Sequence, residues 1–399
     1  MTTSHLTGSV ALLSNTPAPY RVPAWNDLAD LTRGALVVRF IAAGDPRRAW
    51  AVPVEDMHFH WRFLSKAHQD ASVRPAASML RFLASSRPQS VICGGYDSLA
   101  AWVAFVWCKA TRTRFVLWLE ATRRDSRRPG KILQWLKRRI VSGADGIAAS
   151  GNATVEYVRD LGAREQRIFI APFGGDYEGF AREAAKVDAT REKERHGWPS
   201  HLLAYSGRLV REKGVFVLLE AFRLVVTELP DAGLLFVGHG AEQKALEDRC
   251  RRSGLERVYF TGAQEYKCMP YFYALADVLV LPTFSDPWGF VVNEAFACGV
   301  PAIVSRVAGA CDDLIVEGET GFTVEPGDPE DLAAKMRRLL KDESLRAAMG
   351  RNCRELIRRY SAEACAQGLF LAAQTPEGRS NVAQAARPGM RCSVNAEPR

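Results

Sequence analysis

The chain has 399 residues, 47% hydrophobic and 25% charged, an ordinary globular composition with length enough for two domains. No apolar run reaches the roughly 18 residues a spanning helix needs, and no signal-peptide pattern opens the chain, so a cytoplasmic protein is expected. The net charge of +8 is uneven: residues 1–182 hold 25 Lys and Arg against 15 Asp and Glu, while 183–399 hold 28 against 30. A basic first half points to an anionic partner there. Nine cysteines, with neither Cys-x-x-Cys nor zinc spacing, read as reduced and mostly buried thiols.

In chain order, residues 9–13 predict a strand that ends in a turn-rich loop, 15–21. Tyr20 and Arg21 close the loop, and Arg21 is its only cation, available to a phosphate or an acceptor or else an ordinary surface arginine. A helix is expected over 22–31 and a strand over 36–42. Residues 44–73 are poorly patterned. His58, His60 and His68 fall there; His58 and His60 would share one side of a strand, but no nearby carboxylate completes a site, so no metal is assigned. A helix over 75–85 and a strand over 90–93 follow. Gly94-Gly95-Tyr96 opens the next helix, the glycine pair serving a ligand's approach or merely the turn. A strand over 114–118 leaves Glu120-Ala121-Thr122 at its carboxyl end.

Segment 123–141 holds eight cations and one acid. Ile132, Leu133, Leu136, Ile140 and Val141 recur at helical spacing. This basic amphipathic helix either packs its stripe on the sheet, the favoured outcome, or rests on anionic lipid. A strand over 145–149, a helix over 150–161 and a strand over 167–170 lead to Pro172-Phe173-Gly174-Gly175-Asp176. Residues 183–199 are charged, lack a strand pattern and read as a linker.

In the second half, a strand over 202–206 runs into Gly207-Arg208-Leu209-Val210-Arg211-Glu212-Lys213-Gly214, then a helix over 215–229. A diphosphate needs fixed positive charge and close backbone approach. Arg208 can fork onto its oxygens, Lys213 adds a point charge, and the glycines clear the way. A strand over 233–237 leads to Gly238-His239-Gly240 and a helix, and Thr261 lies on the strand and turn over 258–262. An apolar run, 278–282, precedes Asp286-Pro287-Trp288-Gly289-Phe290-Val291-Val292-Asn293-Glu294. Pro287 suits a first helical turn with Ser285 or Asp286 as cap, and Gly299 with Pro301 is the stop. At helical rise the two carboxylates stand about 12 Å apart. The N–H groups of Gly289 and Phe290 between them can face an anion. Helices over 329–340, 343–359 and 361–373 follow, and 376–399 is expected to be disordered.

Acid, seven residues, acid, with an aromatic-Gly-Phe centre, resembles the signature of retaining glycosyltransferase family 4, with Asp286 where that family has Glu. The 207–214 segment is similar to the family's phosphate-contact motif and lies about 80 residues upstream, as in the family. Trp118, Glu120 and Thr122 match a segment found in a subset of it.

The resemblance implies an α/β chain of GT-B fold: two Rossmann-like domains facing a cleft. Residues 1–182 would bind the acceptor, 183–199 link, 200–360 bind the nucleotide sugar, and 361–375 return as a helix to the first domain. It implies catalytic roles for Arg208 and Lys213 on the leaving diphosphate, for Asp286 on the donor sugar and for Glu120 at the acceptor. Gly207, Gly238, Thr261, Gly289, Phe290, Val291 and Glu294 would bind donor, with Glu294 on the ribose. Tyr20 and Arg21 would touch acceptor or phosphate. The implied reaction moves a hexosyl unit from a nucleoside diphosphate sugar, UDP before GDP, to a hydroxyl of a glycan, glycolipid or small-molecule glycoside. It uses no cofactor, metal or nucleic acid. Apart from the resemblance, if segment 123–141 rests on lipid rather than packing on the sheet, it gives peripheral contact with an anionic membrane on its inner face, and the acceptor is then lipid-linked. A nucleotide-sugar epimerase of the same fold and an idle nucleotide-sugar-binding partner are the alternatives.

Overall fold

The computed structural model describes residues 9–44, 52–65, 73–123 and 130–374. The expected tail, His68 and residues 124–129 of the basic segment lie outside them. The first unit runs β1 (Val10–Ser14), α1 (Val22–Leu31), β2 (Leu36–Phe40), β3 (His60–Phe63), α2 (Arg74–Ser86), β4 (Ser90–Gly94), α3 (Leu99–Thr111), β5 (Arg114–Leu119), α4 (Lys131–Gly143), β6 (Gly146–Ala149), α5 (Asn152–Asp160) and β7 (Ile168–Ile170).

The second begins with α6 (Tyr177–Ala184), α7 (Ala189–His196), β8 (His201–Ser206), α8 (Val215–Val226), β9 (Ala232–Val237), α9 (Gln243–Arg252), β10 (Val258–Phe260) and α10 (Met269–Leu275). It continues through β11 (Val278–Leu281), α11 (Val291–Cys298), β12 (Ala302–Ser305), α12 (Cys311–Leu314), β13 (Gly321–Val324), α13 (Pro329–Lys341) and α14 (Glu343–Ile357), and the chain's last described helix is α15 (Ala362–Gln374).

Two parallel sheets result. The first has seven strands in the order β3-β2-β1-β4-β5-β6-β7, and the second has six, β10-β9-β8-β11-β12-β13. Their central strands are short apolar runs, such as Val10-Ala11-Leu12-Leu13, buried on both faces because helices cover both. In each sheet the first strand sits inside, and the chain goes out to one edge before returning beside it. That reversal, between β1 and β4 and again between β8 and β11, opens a crevice at the carboxyl ends of the strands. The GT-B expectation therefore holds.

In the first unit α2 to α5 cover one face of the sheet, and α1 covers the other together with α15. The returning helix is bound closely: Arg114 Nε donates to the Ala372 carbonyl at 2.8 Å, and Leu369 and Ala372 are fully buried. Its start crosses Gly174, where a Cβ would stand 2.5 Å from the Ser361 carbonyl, so the Gly174-Gly175 pair is a crossing point for the chain.

Four local expectations are corrected. Residues 183–199 hold α7 and the end of α6, packed on α10 and α11 of the second unit, and Lys193 ties them to Asp277 at 3.0 Å. Their charge hid a helix with no buried residue. The unpatterned 44–73 stretch contains the edge strand β3, paired to β2. The helix after Gly94-Gly95 starts only at Leu99, capped by the Ser98 hydroxyl. In α4 only Ile140 and Val141 are buried, while Ile132 and Leu133 stand in solvent. Among the described residues no helix is long and apolar enough to cross a membrane.

Candidate functional site

The two carboxyl edges face each other across a cavity of about 610 Å³. Tyr20, Glu120 and Phe173 line it from the first unit. From the second come Gly207, Arg208, Lys213, Gly238, Asp286, Gly289, Phe290, Val291 and Glu294. Every expected site residue except Thr261 and Arg21 thus borders one space. The Thr261 hydroxyl lies 3.2 Å from the Gly262 carbonyl and 3.4 Å from that of Phe236, so Ala263 and Gln264 present the edge assigned to it.

The second-unit wall is built from loops pressed together at the switch point. Gly207 donates its N–H to Val237, and Gly238 donates to Gly262. A Cβ on Gly238 would stand 2.0 Å from the Gly207 carbonyl, so only glycine lets the ends of β8 and β9 meet. The loop after β11 is pinned to the loop after β8, because Phe284 N–H and the Thr283 hydroxyl both donate to the Glu212 carbonyl.

That pinning brings Lys213 to Asp286. Lys213 Nζ donates to Asp286 Oδ2 at 2.8 Å and to the Ser285 carbonyl at 2.9 Å. Arg208 is exposed to the cleft and has no protein acceptor for its guanidinium among the described residues. An unpaired guanidinium on the same loop as a lysine is a ready anion site.

Asp286 is not a helix cap. Residues 286–290 form a loop in which Asp286 bridges to Ala308, and Gly289 takes φ +93°, which breaks any continuous helix. The helix begins at Val291. Separation by helical rise therefore does not apply between Asp286 and Glu294. The N–H groups of Gly289, Phe290 and Val291 have no acceptor among the described residues, so the expected anion-facing donors are present on this loop.

Glu294 lies deeper, 5% exposed, and accepts a hydrogen bond from the Tyr273 hydroxyl at 2.6 Å. Burial pushes its carboxyl up to about 8, although the Tyr273 bond pulls the other way. Burial and the charge of Glu294 together push the phenols of Tyr177, Tyr266 and Tyr273 upward.

On the first-unit wall the Arg21 guanidinium pairs with the Glu120 carboxylate and lies over the Trp118 ring, 5.0 Å from its centre. Burial alone would lower Arg21, but Glu120 and Tyr20 more than offset it, and Arg21 stays above its ordinary value. Arg21 thus reaches the cavity through Glu120.

Sequence reasoning missed what joins the walls. Phe173 stacks on Trp288 at 5.3 Å, Tyr20 meets Phe290 at 4.5 Å, and Asn293, held by Trp288 Nε1, donates from Nδ2 to the Phe173 carbonyl at 3.3 Å. Beside them the Asp313 carboxylate of the second unit accepts from the Asn152 N–H at 3.0 Å through both oxygens, and from Asn152 Nδ2 at 3.0 Å. It thereby caps α5 of the first unit. Burial pushes Asp313 up to about 7 against the pull of those bonds. No local pattern marks this residue; only its partner 161 positions away does.

A family profile described as "Glycosyl transferases group 1" matches residues 187–356, and one described as "Glycosyl transferase 4-like domain" matches 23–174. A capsular polysaccharide biosynthesis glycosyltransferase of Staphylococcus aureus is 29% identical over 222 residues, 53% of this chain and 56% of that protein. The sulfoquinovosyl transferase of Arabidopsis thaliana is 37% identical over 162 residues, 40% of this chain and 30% of that protein. The chain thus spans about half or less of the length of these curated relatives. Among solved structures, Anabaena HepE in complex with UDP and glucose superposes with a TM-score of 0.74 at 19% identity, over 91% of this chain and 98% of that one, a likeness of fold. With two facing sheets, a cleft at their switch points and both profiles falling on the corresponding units, the chain belongs to the GT-B glycosyltransferases of the glycosyl transferase 4-like family.

Proposed function

We propose that this chain transfers a hexosyl unit from a nucleoside diphosphate sugar, a UDP-sugar before a GDP-sugar, to an acceptor hydroxyl with retention at the anomeric carbon. The acceptor belongs to polysaccharide, glycolipid or natural-product glycoside synthesis. The observation that carries the reading is the meeting of Arg208, Lys213 and three free loop N–H groups in one cavity with Asp286 and Glu294. Cations and N–H donors suit a diphosphate, and acids suit the hydroxyl-bearing sugar and ribose. The UDP complex of Anabaena HepE supports the choice of base.

In this reading the Lys213–Asp286 pair is a resting state. An arriving diphosphate offers Lys213 a doubly charged partner, and Asp286 is released to accept from sugar hydroxyls. The bond from the anomeric carbon to the diphosphate oxygen then breaks, with Arg208 and Lys213 stabilising the charge that grows there. The acceptor oxygen bonds to the anomeric carbon on the same face, and its proton passes to the leaving phosphate oxygen. Glu120, held by Arg21, accepts from the acceptor hydroxyl and orients it. The reading assigns no metal and no cofactor.

The test is a mass spectrum of products when UDP- and GDP-sugars are offered with and without candidate acceptors. Acceptor-dependent donor consumption giving an α-linked product from an α-linked donor is expected. An isomerised or free sugar formed without acceptor would make the chain an epimerase or a hydrolase, and tight binding without consumption would make it an idle partner.

A further inference from the structure

Helices α2, α3 and α4, thirteen residues each, pack into the same core on one face of the first sheet, α2 directly against α3, and none contains an acid. The cations on them are Arg74 and Arg81, then Lys109, then Lys131, Lys137, Arg138 and Arg139. Large apolar side chains stand exposed among them. Val73 and Leu80 lie on α2 or its cap, Leu99 and Val106 on α3, and Ile132, Leu133 and Trp135 on α4. These are seven of the nine large exposed apolar residues among the described ones, so the exposure is concentrated on one side of the molecule. Val73, Ile132 and Trp135 are 69%, 78% and 61% exposed. Scattered surface apolars need no explanation, but a concentrated face does.

The geometry points to this face as a docking surface for an anionic lipid bilayer. Two features decide the occupant. First, the three helices carry no acid, and although Lys109 is paired with Asp145 and Asp97 stands exposed before α3, the cations of α2 and α4 leave an excess of positive charge complementary to acidic headgroups; a second copy of the chain would bring like charges together. Second, the apolar residues include a tryptophan and two aliphatics flanked by Lys131, Arg138 and Arg139, the arrangement that buries an apolar edge at the headgroup boundary while long cations reach phosphate.

Position adds a consequence. In a parallel sheet each helix following a strand starts at the carboxyl edge. Val73, Leu99, Ile132, Leu133 and Trp135 all fall at or near the starts of their helices, hence at the rim bordering the cleft. A bilayer docked there lies beside the mouth of the cavity. Surface chemistry alone defines this face, whatever reaction the cleft performs.

The test is flotation of the full chain with vesicles of phosphatidylcholine alone and of phosphatidylcholine with phosphatidylglycerol. Binding to the acidic vesicles only, weakened by added salt, is expected. Arg138→Ala with Arg139→Ala should weaken it about 25-fold, about fivefold per cation. Ile132→Ser, Leu133→Ser and Trp135→Ser together should abolish it. Both variants should keep the wild-type melting temperature and UDP affinity, since these side chains stand outside the cleft. Wild-type chain that stays with the unbound fraction, or binding that survives both variants, overturns the proposal. A dimer in light scattering that the triple variant dissolves overturns it in favour of a second copy. UDP binding measured in parallel keeps either failure distinct from failure of the donor site.

Discussion

Each wall of the cleft presents an ion pair, and the two pairs are built differently. On the second unit Lys213 and Asp286 come from two loops locked by backbone bonds, and beside them Arg208 and three N–H groups have no partner among the described residues. On the first unit Arg21 and Glu120 are enclosed by the rings of Tyr20, Trp118 and Phe173, and among the described residues of that unit no further cation lines the cavity. The first arrangement has spare positive charge and can accept a dianion. The second is balanced, and offers a single oriented carboxylate. The difference supports the proposed division, with the donor on one wall and the acceptor on the other.

The largest test of that division is Lys213→Ala. Removing a charge that faces the leaving diphosphate should lower turnover by about two to three orders of magnitude. UDP affinity should fall with it, as read by calorimetry. Glu120→Ala should lower kcat by about a hundredfold while leaving UDP affinity unchanged. If both variants damage UDP binding equally, the walls do not divide the work.

What holds the walls together is tested next. Asp313→Ala leaves the α5 N-terminus without its acceptor and should cost about 1–3 kcal/mol in stability by thermal or denaturant unfolding. The folded carboxyl keeps a proton between its ordinary value of 3.8 and about 7, where the unfolded chain has lost it. This contribution is therefore greatest at low pH and is lost as pH rises through about 7, and Asp313→Asn should flatten that slope.

The smallest effect is at Glu294, whose carboxyl sits at about 8. Ribose hydroxyls donate best to the ionised form, so UDP affinity should rise about tenfold between pH 7 and pH 9. Binding near neutrality should release a proton, seen as buffer-dependent binding heat. Glu294→Gln should remove both. A flat profile in the wild type would take Glu294 out of the donor wall's chemistry.

The donor wall was legible because its residues are close in sequence and chemically marked: glycines, two cations and two acids at fixed spacings around two strand–helix corners. The local geometry was less so. Nothing in Asp286-Pro287-Trp288-Gly289 announces that Gly289 takes φ +93° and that the helix waits for Val291. The choice between loop and helix there is made by the bridge from Asp286 to Ala308, a contact across 22 positions. On the acceptor wall Glu120 was visible at a strand end, but Arg21 as its partner, 99 positions away, was not. Segment 123–141 showed its basic amphipathic character at once, yet its period could not tell that Ile132 and Leu133 would stand clear of the sheet while Ile140 and Val141 were buried.

By itself the sequence determined the strand–helix alternation, the two parallel sheets it must form, and the chemistry at the loops after β8 and β11. Those properties depend on neighbours along the chain: hydrophobic period, turn residues and charge at short spacing. Only the tertiary structure decided which loops face each other, which acid meets which cation, and that Asp313 clasps Asn152 across the units. Those outcomes depend on burial and on partners distant in sequence, and burial is also what moves Glu294 and Asp313 away from their ordinary ionisation.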